Sequence, residues 1–434
     1  MIRQCSVRSS YLRPAWIVLG TLALAGCAGQ GPGQIFGAAA PTPLGGTSAL
    51  PGAGPAIGKS AGNVALLVPL TGPLAPVGQS LENAAKLVFP AGSSPELDVR
   101  DTGGTPQGAA AAAQAAIAAG DGIILGPLTS PEAHAVAPIA QAAGVNVLSF
   151  TNDSTVAAPG IWPMGISPRQ QVERVMQVAA GKGRTQVAAL LPDSDFGRQL
   201  SNDISDESAR LSEPSPQIVF YDDDFNSVNR AVEQISDFSG RGQMIESEIR
   251  QARDLDTNAG REQARELEHQ QIPPPSFNAL FIGAIRGDTL AEFATFLPYY
   301  DVNQPQVQFL GPANWAPLAP AMAHQPVLLG AMYAAPDPAS ASAFDTKYQA
   351  TYGAPPPSIA DIAFDAAAIA KLAGSNGGYT SSVLTAPAGF TGTDGTLVLQ
   401  PDGQVQRGLA VFGVASGAPI TVEPAPTQLA QPTS

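Results

Sequence analysis

Residues 122–150, GIILGPLTSPEAHAVAPIAQAAGVNVLSF, decide the fold. Gly122–Leu128 is a short apolar run bounded by turn residues, and Asn146–Phe150 is a second. Between them Ser130–Ala143 reads as a helix, with Ser130 as N-cap and Pro131 in its first turn. Strand, helix and strand within about thirty residues form a unit whose strands pair in parallel. Upstream, Val64–Leu70 (VALLVPL) is an apolar run of the kind buried on both faces of a parallel sheet. Ser80–Phe89 follows as an amphipathic helix, Leu97–Arg100 as a strand, and the Ala-rich Pro106–Ala119 as a helix stopped by Gly120. Downstream the alternation repeats, with a helix over Pro168–Lys182 and strands over Gln186–Leu191, Gln217–Tyr221, Ala279–Gly283 and Val307–Leu310. Two such series predict two α/β lobes with ligand sites at the carboxyl ends of their strands.

Composition narrows the function classes. The 434 residues are 44% hydrophobic and only 13% charged, the opposite of a disordered chain. The net charge of −14 argues against a nucleic-acid binder, whose footprint is a basic patch. Gly (45) and Pro (41) are in excess, and the ends of the chain hold many of them. Residues 27–62 read as a Gly/Pro-rich flexible tether and 421–434 as a disordered tail. Gly58-Lys59-Ser60 ends like a P-loop, but Ala53 stands where its first Gly would be and no strand precedes it.

Residues 1–26 read as a secretion signal: Arg3, Arg8 and Arg13 precede an apolar run, Ala15–Ala25, too short to span a bilayer. The run ends in Leu24-Ala25-Gly26-Cys27, which resembles the bacterial lipobox. That resemblance implies a diacylglycerol thioether on Cys27, cleavage before it and a membrane anchor. Ala28 follows in place of an inner-membrane Asp, so the expected location is the periplasm, anchored to the outer membrane. Cys5 would leave with the signal, so the mature chain would hold no disulfide and no Cys-based metal site.

Seven short motifs then occur in one order. They are Pro69-Leu70-Thr71-Gly72 with Gly78-Gln79, Asp101-Thr102-Gly103, Gly126-Pro127-Leu128-Thr129-Ser130, Leu148-Ser149-Phe150-Thr151-Asn152, Phe344 to Tyr348, Tyr352-Gly353, and Ala360 to Ala366. Together they resemble the type I periplasmic-binding fold in its leucine/isoleucine/valine-binding branch. The resemblance implies an α/β fold of two interleaved lobes, each a parallel sheet flanked by helices. Lobe 1 would hold 63–167 and 331–385, and lobe 2 would hold 168–330 and 386–420. Ligand would lie between them, buried by hinge closure.

The resemblance also implies site residues. Ser130 would hold a ligand carboxylate at a helix start, or else only cap its helix. Thr151, Asn152 and Asp153 would line the same cleft, or form a polar turn. Phe196 and Arg286 would face it from lobe 2, although Phe196 lacks the hydroxyl of an aromatic partner and Arg286 suits an ammonium poorly. Asp193 and Asp195 are weaker candidates. The leading expectation is a non-enzymatic solute-binding lipoprotein that captures a small polar, amino-acid-like ligand for an ABC permease.

A charged segment departs from that pattern. Residues 229–275 read as a helical insertion in lobe 2, with two helices over 243–271 joined near Thr257–Gly260 and an i,i+4 pair Glu246/Arg250. It reads as a solvated excursion or a partner-binding arm. The insertion resembles penicillin-binding protein activators, lipoproteins that stimulate a peptidoglycan synthase, and this is the alternative function. No stretch of these 434 residues reads as the helical-repeat domain that some activators carry, a departure from that resemblance. Catalysis has little support. His134, His269 and His324 share no metal spacing, no cofactor motif appears, and Asp222-Asp223-Asp224 follows a strand directly, as a solvated turn would.

Overall fold

The computed structural model describes residues 58–59, 61–270 and 272–429. The signal, Cys27 and most of the tether lie outside the described residues.

The first lobe opens with β1 (Val64–Val68), α1 (Ala75–Val88), β2 (Leu97–Asp101), α2 (Pro106–Ala119), β3 (Ile123–Leu125), α3 (Ser130–Ala142), β4 (Asn146–Ser149) and β5 (Ile161–Pro163). Its sheet has the order β2-β1-β3-β4-β5, parallel throughout. Every residue of β1, β3 and β4 is buried, which is why β1 and β3 appear as unbroken apolar runs. The second lobe follows with α4 (Pro168–Gly181), β6 (Val187–Pro192), α5 (Asp195–Arg210), β7 (Gln217–Tyr221) and α6 (Phe225–Ser236). Then come α7 (Phe238–Asp254), α8 (Asn258–Glu268), β8 (Ala279–Ile282), α9 (Gly287–Tyr299), β9 (Gln308–Gly311), the short α10 (Ala319–Met322) and β10 (Met332–Ala335). The chain returns to lobe 1 for α11 (Pro338–Tyr352), α12 (Ala360–Ser375), the short α13 (Ser381–Leu384), β11 (Phe390–Gly392), β12 (Gly395–Leu399) and β13 (Val405–Arg407). It ends in lobe 2 with β14 (Ala410–Gly413) and β15 (Ile420–Glu423).

Each sheet has a hydrophobic layer on both faces. In lobe 1, α1, α11 and α12 cover one face and α2 and α3 the other. In lobe 2, α6 and α9 cover one face and α4 and α5 the other. α6 shows the sequence logic: Val228, Ala231, Val232 and Ile235 recur at helical spacing and all are buried.

Both lobes bring the helix after their first strand unusually close to the end of that strand. A Cβ on Gly78 would lie 1.8 Å from the Pro69 carbonyl oxygen, and one on Gly197 would lie 1.8 Å from that of Pro192. Only glycine permits this approach, which sets the first turns of α1 and α5 beside the loops after β1 and β6.

The structure differs from the sequence expectations at several places. β10 lies in the lobe 2 sheet, between β9 and β14, so the return to lobe 1 comes after Ala335 and not at 331. The β11–β13 sheet packs on the lobe 1 core through Phe390, Leu397, Leu399 and Val405, so the last crossing falls at 407–409 and not at 386. The lobe 2 sheet is mixed, because β14 and β15 pair antiparallel. The expected disordered tail contains most of β15, and Pro424 O accepts from Arg174 Nη2 at 2.9 Å. The tether ends early, since Lys59 O accepts the Tyr379 amide at 2.8 Å. Asn229 belongs to the regular helix α6, so the insertion reduces to the α7–α8 hairpin. Arg250 Nε donates to the Glu246 carbonyl oxygen at 3.3 Å, within the helix. The ion pair that joins the two helices is instead Arg253–Glu268.

Candidate functional site

Parallel strands end together, so residues far apart in sequence meet at the carboxyl edge of each sheet. In lobe 1 the register sets Leu125 beside Leu148, which carries the loop after β3 next to the loop after β4. Ser130, Thr151, Asn152 and Asp153 therefore come together.

Their chemistry differs from the expectation at one point. The N-cap of α3 is Thr129, not Ser130. Thr129 N and Oγ1 both donate to Glu132 Oε2, at 3.0 and 2.7 Å, and Glu132 is buried. Ser130 is thus released from capping, and its hydroxyl donates to Asp153 Oδ2. Asp153 also accepts the Thr155 amide at 2.9 Å and the Thr155 hydroxyl at 2.7 Å. His134 Nε2 lies 3.5 Å from Asp153 Oδ2. Partial burial opposes ionisation of Asp153, but hydrogen bonds from Ser130 and Thr155, with His134 nearby, hold its carboxyl below the usual range. A carboxylate belonging to the chain itself therefore occupies the start of α3. Thr151 is buried, and its hydroxyl accepts the Asp153 amide at 3.1 Å. Asn152 is exposed at the rim.

Asp101, in the second of the seven motifs, acquires its role only in the fold. Its carboxylate accepts the amides of Leu70 (2.7 Å), Thr71 (3.2 Å) and Gly103 (2.8 Å) and the Thr71 hydroxyl (2.6 Å). It ties the loop after β1 to the loop after β2. The signal was present in the spacing, since an Asp at a strand end two residues before Gly is placed to accept backbone amides.

In lobe 2 the two predicted contacts are already engaged. Phe196 packs on the core layer between α4, α5 and the sheet. Arg286 N-caps α9 and pairs with Asp288 and with Asp223, the latter at 3.2 Å. These acids hold its guanidinium above the ordinary value, and Arg286 in turn holds the Asp288 carboxyl well below the usual range. Asp223 also accepts the Thr289 hydroxyl at 2.9 Å, and Asp224 caps α6 through the amides of Asn226 and Ser227, both at 3.0 Å. The Asp222–Asp224 run is a capping turn. Arg198 pairs with Asp193 (2.6 Å) and Asp195 (3.0 Å). Among the described residues, no hydrogen bond or ion pair joins the strand-end loops of one lobe to those of the other, and no group of His, Cys, Asp and Glu has the arrangement of a metal site.

The lobes meet instead at the crossings. The first and third crossings are tied to each other on both sides: in lobe 1 Arg407 Nη2 donates to Met164 O at 2.6 Å, and in lobe 2 Arg174 Nε donates to Leu409 O at 2.8 Å. Gln170 Nε2, at the start of α4, donates to Val405 O. Beneath the third crossing lies a carboxyl cluster of buried Asp365 and half-buried Asp361 and Asp394, with Arg407 Nη1 3.3 Å from Asp394 Oδ2.

The sequence profile of the periplasmic binding protein family matches residues 63–237. An uncharacterized protein of Rickettsia prowazekii is 25% identical over 174 residues, 40% of this chain and 47% of that protein. The chain spans about half the length of the curated relative it matches. Among solved structures, a putative branched-chain amino acid ABC transporter from Rhodospirillum rubrum superposes with a TM-score of 0.61 at 17% identity, covering 83% of this chain and 100% of that one. The C-domain of LpoA from Haemophilus influenzae, a regulator of PBP1A, superposes with a TM-score of 0.59 at 17% identity, covering 83% and 99%. Full-length LpoA gives a TM-score of 0.57 at 17% identity, covering 83% of this chain and 59% of that one. The chain is similar to binding and regulatory proteins, and it has the type I periplasmic-binding fold.

Proposed function

We propose that this chain is an extracytoplasmic binding scaffold that regulates a penicillin-binding protein, and that its strand-end cleft no longer receives an amino acid. The observation that carries this reading is the Ser130–Asp153 contact. The donor that would meet a ligand carboxylate is spent on a carboxylate of the chain, and a second anion there would be repelled at close range. The likeness to the LpoA C-domain supports the same reading and names a partner class. Lipid attachment at Cys27 would hold the scaffold at the membrane surface where such a synthase works. The proposed role is non-enzymatic: the fold binds and positions, and the synthase performs the chemistry.

The test is capture and stimulation. The lipidated full chain should co-purify with a bifunctional peptidoglycan synthase from the same cell envelope and raise its glycan polymerisation rate. Synthase activity that is unchanged at saturating scaffold would refute the reading. Cys27→Ser should abolish membrane retention and leave binding in detergent intact.

A second reading keeps solute binding for an ABC permease and reverses the ligand's charge. Asp193, Asp195, Asp222, Asp223 and Asp288 outnumber Arg198 and Arg286 at the lobe 2 strand ends. That edge favours a cation, so a melting shift with a basic amino acid or polyamine would support this reading over the first.

A further inference from the structure

The outer face of α6 and α9 carries aromatic side chains that the core does not use. In α9, Leu290, Phe293 and Leu297 are buried, while Glu292, Phe296 and Tyr299 recur at i, i+4 and i+7 on the outward side. In α6, Val228, Ala231, Val232 and Ile235 turn inward and leave Phe225, the first residue, outside. The Phe225 and Phe296 rings meet at 4.7 Å between centroids and bridge the two helices. Tyr299 packs edge-on against Tyr300 at 4.9 Å. Tyr299 is 71% exposed and Phe225 54%, more than any other aromatic side chain among the described residues. Tyr300 joins this patch to the insertion. Its ring meets that of Phe238, the first residue of α7, at 5.8 Å, and its carbonyl oxygen accepts from Arg241 Nη2 at 2.8 Å. The α7–α8 hairpin packs chiefly on itself, and the aromatic patch lies at its root.

Acids border the patch at its other end. Glu292, one turn before Phe296, has no cation within ion-pair distance among the described residues. Partial burial, and then the charges of Asp288, Asp223 and Asp224, push its carboxyl above the ordinary value, with Arg286 opposing. Arg286 is itself committed to Asp223 and Asp288. Asp224 accepts two amides of α6 and likewise has no cation beside it. An exposed apolar patch marks a binding surface, and the charge around it selects the occupant. These acids would repel an anionic lipid surface. They would also repel a second copy of this chain, which carries the same border and a net charge of −14. A cationic side chain gains twice here, by pairing with Glu292 and by stacking on an exposed aromatic ring.

We propose that the outer face of α6 and α9 docks a basic amphipathic segment of a protein partner. The apolar side chains of that segment pack on Phe225, Phe296 and Tyr299, and its Lys or Arg side chains meet Glu292 and Asp224. The proposal rests on the scaffold reading and deepens it, by stating where the partner docks and through what chemistry. It also gives the α7–α8 hairpin a place beside the docked segment.

The test titrates the full chain into a fluorescein-labelled synthetic helix of lysine and leucine with one tryptophan, followed by fluorescence anisotropy. The helix should bind and should bind more weakly at high salt. The same helix with glutamate for lysine, or with serine for leucine and tryptophan, should not bind. Tyr299→Ser and Phe225→Ser should each weaken binding at least about tenfold, and Glu292→Gln about threefold at low salt. Both aromatic side chains are exposed, so the melting temperature should hold; should one variant fail to fold, the other decides. Asp345→Asn, at an exposed acid of α11 in lobe 1, should leave binding unchanged. No binding of the basic helix, binding unchanged in both serine variants, or equal weakening by Asp345→Asn would overturn the proposal. Phosphatidylglycerol vesicles that bind the wild type but not Tyr299→Ser would overturn it in favour of lipid. A sedimenting dimer lost in Tyr299→Ser would overturn it in favour of a second copy. Synthase capture separates this proposal from the reading beneath it. Capture that is equal in wild type and Tyr299→Ser overturns the docking face and leaves the scaffold reading standing. Absence of capture with helix binding intact overturns the scaffold reading and supports the face.

Discussion

Asp365→Asn should make the protein more stable at neutral pH, by an amount set by the carboxyl cluster under the third lobe crossing. Asp365 is 2% exposed on α12, and its carboxylate accepts the Thr393 amide at 2.8 and 3.0 Å. Burial raises its pKa most. The Thr393 amide opposes this, Asp394 adds to it, Arg407 opposes it, and the result is about 6 against an ordinary value of 3.8. Asp361, one turn earlier, is pushed up to about 8 by burial and by the charges of Asp394 and Asp365. A raised acid binds its proton more tightly folded than unfolded. Its stabilising contribution is therefore complete below about pH 4 and is lost as pH rises through about 6. Two pKa units correspond to about 3 kcal/mol. Asparagine keeps a carbonyl acceptor for Thr393 and cannot ionise. The stability difference between variant and wild type should thus grow by about 3 kcal/mol from about pH 4 to about pH 7, in favour of the variant. Urea unfolding followed by tryptophan fluorescence across that range measures it, with equal m-values as the check on comparability. A difference that does not change with pH, or one that turns against Asn as pH rises, would refute the reasoning.

Other outcomes follow from single contacts. Gly197→Ala places a methyl 1.8 Å from the Pro192 carbonyl oxygen and should cost at least about 3 kcal/mol, whereas Gly242→Ala, in helix α7 with open space around it, should stabilise by about 0.5–1 kcal/mol; thermal unfolding of both settles the contrast. Arg241 is 3% exposed and donates to Pro273 O at 2.6 Å and Tyr300 O at 2.8 Å, so Arg241→Ala should cost about 2–4 kcal/mol and speed hydrogen exchange in the α7–α8 hairpin ahead of the sheet. Asp101 is held below its ordinary pKa: burial opposes this, but the Thr71 hydroxyl and the Gly103, Leu70 and Thr71 amides prevail. Its contribution is present above the ordinary value and is lost on acidification through the lowered one, so the deficit of Asp101→Asn should shrink as pH falls below about 4.

The sequence carried the alternation of strand and helix because parallel strands buried on both faces must be continuous apolar runs, as β1 and β3 are. It carried helix starts where capping chemistry is local, as at Thr105 before α2. Sheet membership was not legible for β10. Met332–Ala335 is buried throughout, and an apolar run does not state which of two sheets buries it. β15 is legible only weakly because it is four mostly exposed residues beside a Pro-rich end, too short for its alternation to stand out; its pairing with β14 holds it. At the site, Ser130 and Asp153 were both singled out, but each as a contact for a ligand. Their contact with each other depends on the β3–β4 register and on Thr129 taking the capping role, a one-residue shift at the helix start. Arg407 reads as an ordinary polar residue of a short strand. Only the third crossing places it between Met164 and Asp394.

A melting series of the full chain with the standard amino acids at roughly 10 mM puts the occupied state of the α3 anion position to the most direct test. A receptor with a Kd a hundredfold below the ligand concentration would gain about 2.7 kcal/mol, a shift of several degrees. We expect no α-amino acid to produce such a shift in the wild type. A shift of several degrees with any neutral amino acid, lost in Ser130→Ala, would show that Asp153 yields its place to a ligand and would contradict the scaffold reading.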